Sequence, residues 1–334
     1  MDTMVKTAAI LTIILASAFS AFADFPTIEG LTSHLFTNAV IVWQAPTNEL
    51  PRNFWIYQRT LPRVFSERVI SKAIVLGSLQ QKALPRLSTK DFYIPEDLPP
   101  NWPGPVPVVF GVQPDDASLF YEMPGYAKAS DDPAKDIPTD RVIAARAWKY
   151  ARQLGLDTKK MALKNFYTHF CNADQNQDEE AHGVCGRGVF LSRELDGIPF
   201  FSADEQGDGA EGFSVEFGGF GKTCSFSLCW SDVQRCESLP TDDPRKIIHN
   251  IQMHKILVLP DANETDYFTR LKKLASATKV VVTRITPYYF KGVFGQVPTS
   301  GAPAKLITPM AQLEAIADCG DGNIIIRMVT PIIP

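Results

Sequence analysis

No cysteine occurs before position 171, and none of the six that follow (171, 185, 224, 229, 236 and 319) stands in a C-x-x-C pair. That spacing excludes a zinc ribbon and a thioredoxin-like redox centre. Histidine is scarce, at five in 334 residues. His249 and His254 fall on one predicted helix, roughly 140° apart around its axis, so they do not face one metal ion. His169 and His182 flank a loop and read as polar surface. Neither sign of charge dominates: the formal net charge is -4, which leaves nucleic acid no electrostatic footprint. No Gly-x-Ser-x-Gly elbow and no thiol-protease Cys/His signature is present, although a triad assembled from distant residues is a matter of geometry and not of sequence order.

The only long apolar run lies at the N-terminus. Lys6 supplies a basic start, Thr7 to Phe22 carry no charge, and Ala21-Phe22-Ala23 has the small-x-small order that signal peptidase reads, with Asp24 after the cut. Residues 1–23 are therefore expected to be a signal peptide, and the mature chain to be secreted or periplasmic without membrane insertion. An oxidising compartment and an even cysteine count make disulfides the expectation, with Cys171–Cys185 the favoured pair because it closes one loop. Cys224 and Cys229 project to opposite faces of one strand and are not expected to pair.

About 310 residues remain after the cut, 45% of the chain is apolar and 21% charged, so core material is ample. The spacing predicts helices over 66–76 and 139–154, each stopped by a glycine, then from Pro244, over 265–277 and over 308–320. The proline-dense strip 94–107 is read as an extended connector. Between the second and third helices the period falls to 2. Val189, Leu191 and Arg193 alternate, Asp196-Gly197 signals a two-residue turn, Phe213, Val215 and Phe217 share a face, and Cys224, Phe226, Leu228 and Trp230 form the apolar face of a return strand. Phe226, Leu228 and Trp230 are expected beneath the 139–154 helix. The fold class predicted is α+β, an antiparallel meander with helices packed on one face. The units expected are 24–126, 139–240 and 241–334. The echo of Arg68-Val69-Ile70 in Arg141-Val142-Ile143 raises the prospect of tandem copies.

Within 186–230, Gly-Arg-Gly-Val-Phe-Leu-Ser-Arg-Glu-Leu-Asp-Gly-Ile-Pro-Phe-Phe is followed by Gly-Phe-Ser-Val-Glu-Phe and Gly-Lys-Thr-Cys-Ser-Phe-Ser-Leu-Cys-Trp. This resembles exported regulatory domains of the PepSY-like and YycH/YycI-like type. The resemblance covers about 45 of 334 residues and departs in the acidic insertion Asp204 to Glu211 and in its cysteines. It implies a small helix-on-sheet domain that binds or restrains another protein rather than catalysing, and it carries no active site over.

Two segments resemble ligand loops. Gly221-Lys222-Thr223 lacks the earlier glycine of a phosphate loop, since position 216 is Glu, and it sits in a hairpin turn. Asp174, Asn176 and Asp178 have the alternating oxygens of a calcium loop, but Glu179 stands where that loop needs glycine and Cys185 where it needs glutamate. Calcium is thus the one cofactor the sequence raises, and a solvated loop is the default. Asp204 to Glu211 is expected to project from the sheet edge. The leading functional expectation is an exported, non-enzymatic binding or regulatory protein with a protein partner. The alternatives are a secreted hydrolase with a sequence-dispersed site and a calcium-stabilised structural domain.

Overall fold

The chain builds two sheets at once, crossing between them instead of finishing one before starting the other. The computed structural model describes residues 35–46, 50–60, 63, 65–77, 92–93, 110–122, 135–170, 183–201, 210–240, 244–259, 266–291 and 305–332. Its strands are β1 (Val40–Trp43), β2 (Asn53–Thr60), β3 (Phe92–Tyr93), β4 (Phe110–Gln113), β5 (Ser118–Glu122), β6 (Met161–Phe170), β7 (Val184–Leu195), β8 (Ile198–Pro199), β9 (Gly212–Phe217), β10 (Thr223–Cys229), β11 (Asp232–Pro240), β12 (Leu257–Val258), β13 (Lys279–Lys291), β14 (Leu306–Asp318) and β15 (Asn323–Pro331). Its helices are α1 (Glu67–Leu76), α2 (Asp140–Leu154), α3 (Pro244–Gln252) and α4 (Tyr267–Leu274).

Among the described residues the first sheet has 7 strands in the order β1-β13-β14-β15-β12, with β2 on β14 and β11 on β2. The second has 8, in the order β3-β4-β5-β10-β9-β7-β6, with β8 on β7. Every one of these strand pairs is antiparallel except β1 with β13. Antiparallel sheets with helices beside them make the fold α+β, as the sequence predicts.

Helix α1 begins where Ser66 accepts from the Val69 amide, 3.4 Å away, and stops at Gly77. Gly77 is required by contact: a Cβ there would lie 2.8 Å from the Tyr121 ring. Helix α2 ends in a left-handed Gly155, φ 83°. Its buried stripe of Ile143, Ala147, Ala151 and Leu154 shares one core with Ala73 and Ile74 of α1 and with Val189, Leu191, Phe213, Val215, Phe217, Phe226 and Leu228 of the second sheet. Helices α3 and α4 contribute Ile247, Ile251, Leu271 and Leu274 to the core of the first sheet. Trp230 is only partly buried against the second core, unlike Phe226 and Leu228.

Several expectations need correction. The segments 24–126, 139–240 and 241–334 are not separate units: β5 pairs with β10, while β2 pairs with both β11 and β14. Distant pairing follows the fit of faces, which local periodicity does not carry. The two Arg-Val-Ile helices, α1 and α2, pack into one core. Residues 308–320 are no helix but most of β14. The odd positions Ile307, Ala311, Leu313, Ala315 and Ala317 enter the first core, and Met310 is buried with Tyr288 and Val329 in a small cluster apart from it. The odd positions are buried and the even ones, Met310 apart, are not, but Leu313, Ile316 and Ala317 also fit a helical stripe between Pro309 and Gly320, so two periods compete in one segment. The strip 94–107 lies outside the described residues, as do residues 1–23.

The sheets are joined by the hairpin at Asp196-Gly197. Asp196 (φ 54°) and Gly197 (φ 77°) both take left-handed backbone, the two-residue turn the sequence predicts. The turn docks on the first sheet, where the Tyr57 hydroxyl and the Arg235 guanidinium both donate to the Asp196 carboxylate. Beyond it Phe200 pairs with Tyr289, and the Phe201 amide donates to the Tyr289 carbonyl at 2.8 Å. Phe190, Leu195, Ile198 and Phe200 enter the first core from this side.

Candidate functional site

Where β10 leaves the second sheet and β11 joins the first, the link Trp230–Ser231 passes a buried cluster of charge. Its centre is Glu211, just before β9 and fully buried. One carboxylate oxygen accepts from the Ser231 hydroxyl and lies 3.3 Å from Arg59 Nε. The other accepts from Arg193 Nη1 and, at 3.2 Å, from the Ser231 amide. Arg59 Nε also donates to Ser231 Oγ at 2.6 Å and its Nη2 to the Asp116 carbonyl at 3.0 Å. Arg193 Nη1 reaches the Ser231 carbonyl at 2.6 Å, and its guanidinium lies 4.5 Å over the Trp230 ring. A carboxylate buried this deeply is tolerable only because two guanidinium groups and two Ser231 donors occupy its lone pairs.

Sequence reasoning assigned Glu211 to a projecting acidic loop, and the structure overturns that. It missed Arg59 entirely, for no local pattern marks it. Arg193 did leave a signal: it occupies the inward slot after Val189 and Leu191, where an apolar residue is the norm.

A thiol and an amine adjoin the cluster. Lys291 Nζ lies 2.7 Å from the Asp116 carboxylate and 3.2 Å from Cys229 Sγ. Burial pushes the Cys229 thiol up to about 11, with Lys291 opposing and Glu211 and Asp116 adding to the rise. Cys229 is therefore protonated at neutral pH and is a poor nucleophile. Burial opposes the charge on Lys291, yet Cys229 and Asp116 outweigh it and the net direction is up.

Beside Arg193 and Trp230 opens a cavity of about 390 Å³. Leu154, Leu228 and Phe65 give it apolar walls, and Arg63, Lys160 and Asp232 lie at its polar side. Arg63 donates to Asp232 at 2.6 Å and lies 5.1 Å over the Phe65 ring. The buried Nε–H of Arg63 and that of Arg193 meet no acceptor among the described residues.

The sequence-predicted candidates lie elsewhere. Asp174, Asn176, Asp178 and His182 fall outside the described residues, as do residues 204–209. His169 of β6 lies 3.4 Å from the buried Glu216 of β9, whose other oxygen accepts from Ser225 Oγ at 3.4 Å. The hydrogen bond to Glu216 raises the His169 pKa, burial partly offsets it, and Glu122 adds to the rise. Here the carboxylate stands between serine and histidine, whereas a hydrolytic triad puts histidine in the middle. His249 lies in α3, and His254, beyond its end, bonds through Nδ1 to the Leu35 carbonyl at 3.0 Å.

Of the cysteines, Cys224 is buried on the core side of β10 and Cys229 faces the other way, as the alternation predicts. Cys224, Cys229, Cys236 and Cys319 are thiols and not disulfide halves. Cys171 lies outside the described residues.

No family model matches the chain. No curated protein matches it either. Among solved structures, the chain is similar to an uncharacterized protein from Eubacterium rectale ATCC 33656, at 10% sequence identity and a TM-score of 0.41 over 87% of this chain and 86% of that one.

Proposed function

We propose that this chain is an exported binding or regulatory protein of PepSY-like type, acting on a protein partner and not turning over a substrate. The observation that carries the reading is the state of the junction. Arg59 and Arg193 are committed to Glu211, and Lys291 to Asp116. The one thiol among them is held protonated. Such a cluster fixes two sheets against each other and offers no group poised to attack or to move a proton. Export is supported by the basic, apolar and small-residue order of residues 1–23.

The test has two arms. Protein from the exported fraction is expected to begin at Asp24, and cross-linking in that fraction to yield one partner that rebinds stoichiometrically and keeps its mass. The same preparation is run against a broad hydrolase panel beside His169→Ala and Cys229→Ser. Turnover that either substitution abolishes, with the unfolding midpoint unchanged, would overturn the reading, as would a chain in that fraction still starting at Met1.

A further inference from the structure

We infer that the cavity beside the junction binds a carboxylate carried on a compact apolar body. This deepens the binding reading above and rests on it. Two arginines line the cavity, and each has spent the same end of its guanidinium on the protein. Arg193 uses Nη1 for Glu211 and the Ser231 carbonyl, and Arg63 uses Nη1 for Asp232. The Nε of each is buried without an acceptor. What each leaves unsatisfied is therefore its Nε–H, on the edge away from the bonds to Glu211 and Asp232, and that edge of a guanidinium is the fork that receives the two oxygens of a carboxylate in parallel.

Arg193 is also immobile. Its side chain is only 7% exposed, and it is clamped between Glu211 and the face of Trp230. A donor that cannot swing out to water is organised before the ligand arrives, so little ordering is lost on binding. The walls of Leu154, Leu228 and Trp230 suit an apolar body, and a volume of about 390 Å³ falls in the range of small-ligand sites.

The charge decides between acids. The lining holds Arg63, Lys160 and Arg193 against Asp157 and Asp232, one positive charge in excess. Asp157 already lies 3.6 Å from Lys160, and Glu211 already balances part of Arg193. One anionic charge is matched, while a phosphate dianion would face two aspartates with no cation left for its second charge.

The test titrates the full mature chain with 3-phenylpropionate, its uncharged amide, phenyl phosphate, and a short peptide ending in Phe as free acid or amide. Binding is read by calorimetry, and each ligand is recovered and weighed by mass spectrometry. The carboxylate is expected to bind, the amides to bind at least about tenfold more weakly, and Arg63→Gln to lose about tenfold, as expected for a charge-assisted pair. Arg63 is partly exposed, so that variant is expected to keep the wild-type unfolding midpoint. Arg193→Lys serves as a second variant that keeps the charge and loses the fork. Preference for the free-acid peptide over 3-phenylpropionate assigns the carboxylate to a chain terminus, and the reverse assigns it to a small molecule. Equal affinity for acid and amide, tighter binding of phenyl phosphate, or no loss in Arg63→Gln overturns the site. A ligand that binds as expected and is recovered chemically changed leaves the site standing and overturns the non-enzymatic reading instead.

Discussion

Glu211→Gln tests whether the buried charge holds the two sheets together. The substitution keeps the shape of the side chain and one carbonyl acceptor, but removes the negative charge shared by Arg59 and Arg193. It also places an amide N–H₂ against a guanidinium that only donates, Arg59 Nε or Arg193 Nη1. The Glu211 and Arg59 side chains are both 0% exposed, so water does not replace the lost partner. Breaking one buried pair costs about 3–5 kcal/mol. Two cations share this anion, which places the loss near 4–5 kcal/mol, a large share of the ~5–15 kcal/mol that stabilises a typical domain. In thermal terms that is a fall of roughly 10 °C or more. Urea unfolding of wild type and Glu211→Gln, followed by fluorescence, reads the difference at constant slope. Adding Arg59→Met to Glu211→Gln is expected to restore part of the stability, because it removes one stranded cation along with its partner. A loss below about 1 kcal/mol for the single change, in the range of an exposed ion pair, would refute the reasoning.

Other expectations follow from the same geometry. The His169 pKa is raised in the folded chain, so its contribution is fully present below the unfolded value and is lost as pH rises through the folded one. Unfolding midpoints across that window are expected to fall with pH less steeply in His169→Gln, and identical slopes would exclude the Glu216 pairing as the cause. Cys236 is exposed, whereas Cys229 is held as a thiol with a pKa of about 11, so iodoacetamide is expected to label Cys236 well before Cys229. Labelling at equal rates counts against the part-buried Cys229–Lys291 contact. Since Cys224, Cys229, Cys236 and Cys319 are thiols, Cys171 is the one intrachain partner left for Cys185, and the pair would close a loop of ~15 residues worth ~3 kcal/mol. Non-reducing peptide mapping of exported protein is expected to find that single bridge, and six alkylated thiols would eliminate it.

What the sequence made legible was local. Ser66, Gly77 and Gly155 mark helix ends because a cap is an interaction between near neighbours, and Asp196-Gly197 marks its turn because few residue pairs take left-handed backbone twice in a row. The alternation of Phe213, Val215 and Phe217 reads correctly because one face of β9 is apolar and the other is not. Strand β14 alternates as well, with its odd positions buried, but Leu313, Ile316 and Ala317 also fit a helical stripe, and Pro309 and Gly320 mimic the ends of a helix. The junction was illegible for a different reason. Glu211 closes an acidic run, and only its distant partners Arg59 and Arg193 turn it from a solvated residue into a buried hub.

That distance between partners bears on why the charge is there at all. Apolar residues of similar volume at a buried ion cluster are often as stabilising or more so, so stability alone does not account for Arg59, Glu211 and Arg193. Fixed donors and acceptors add a directional constraint to the packing of the two sheets. Here Glu211 ties β2 of one sheet to β7 of the other through fixed donors, and Ser231 adds its hydroxyl and amide at the point where the chain crosses. The arrangement sets one orientation of sheet against sheet, and with it the guanidinium of Arg193 against the face of Trp230 at the cavity wall. Loosening the cluster should therefore disturb the cavity before it unfolds the chain. A conservative Ser231→Ala, which removes one donor from Glu211 and leaves both arginines in place, is expected to weaken carboxylate binding by a larger factor than it lowers the folding equilibrium constant.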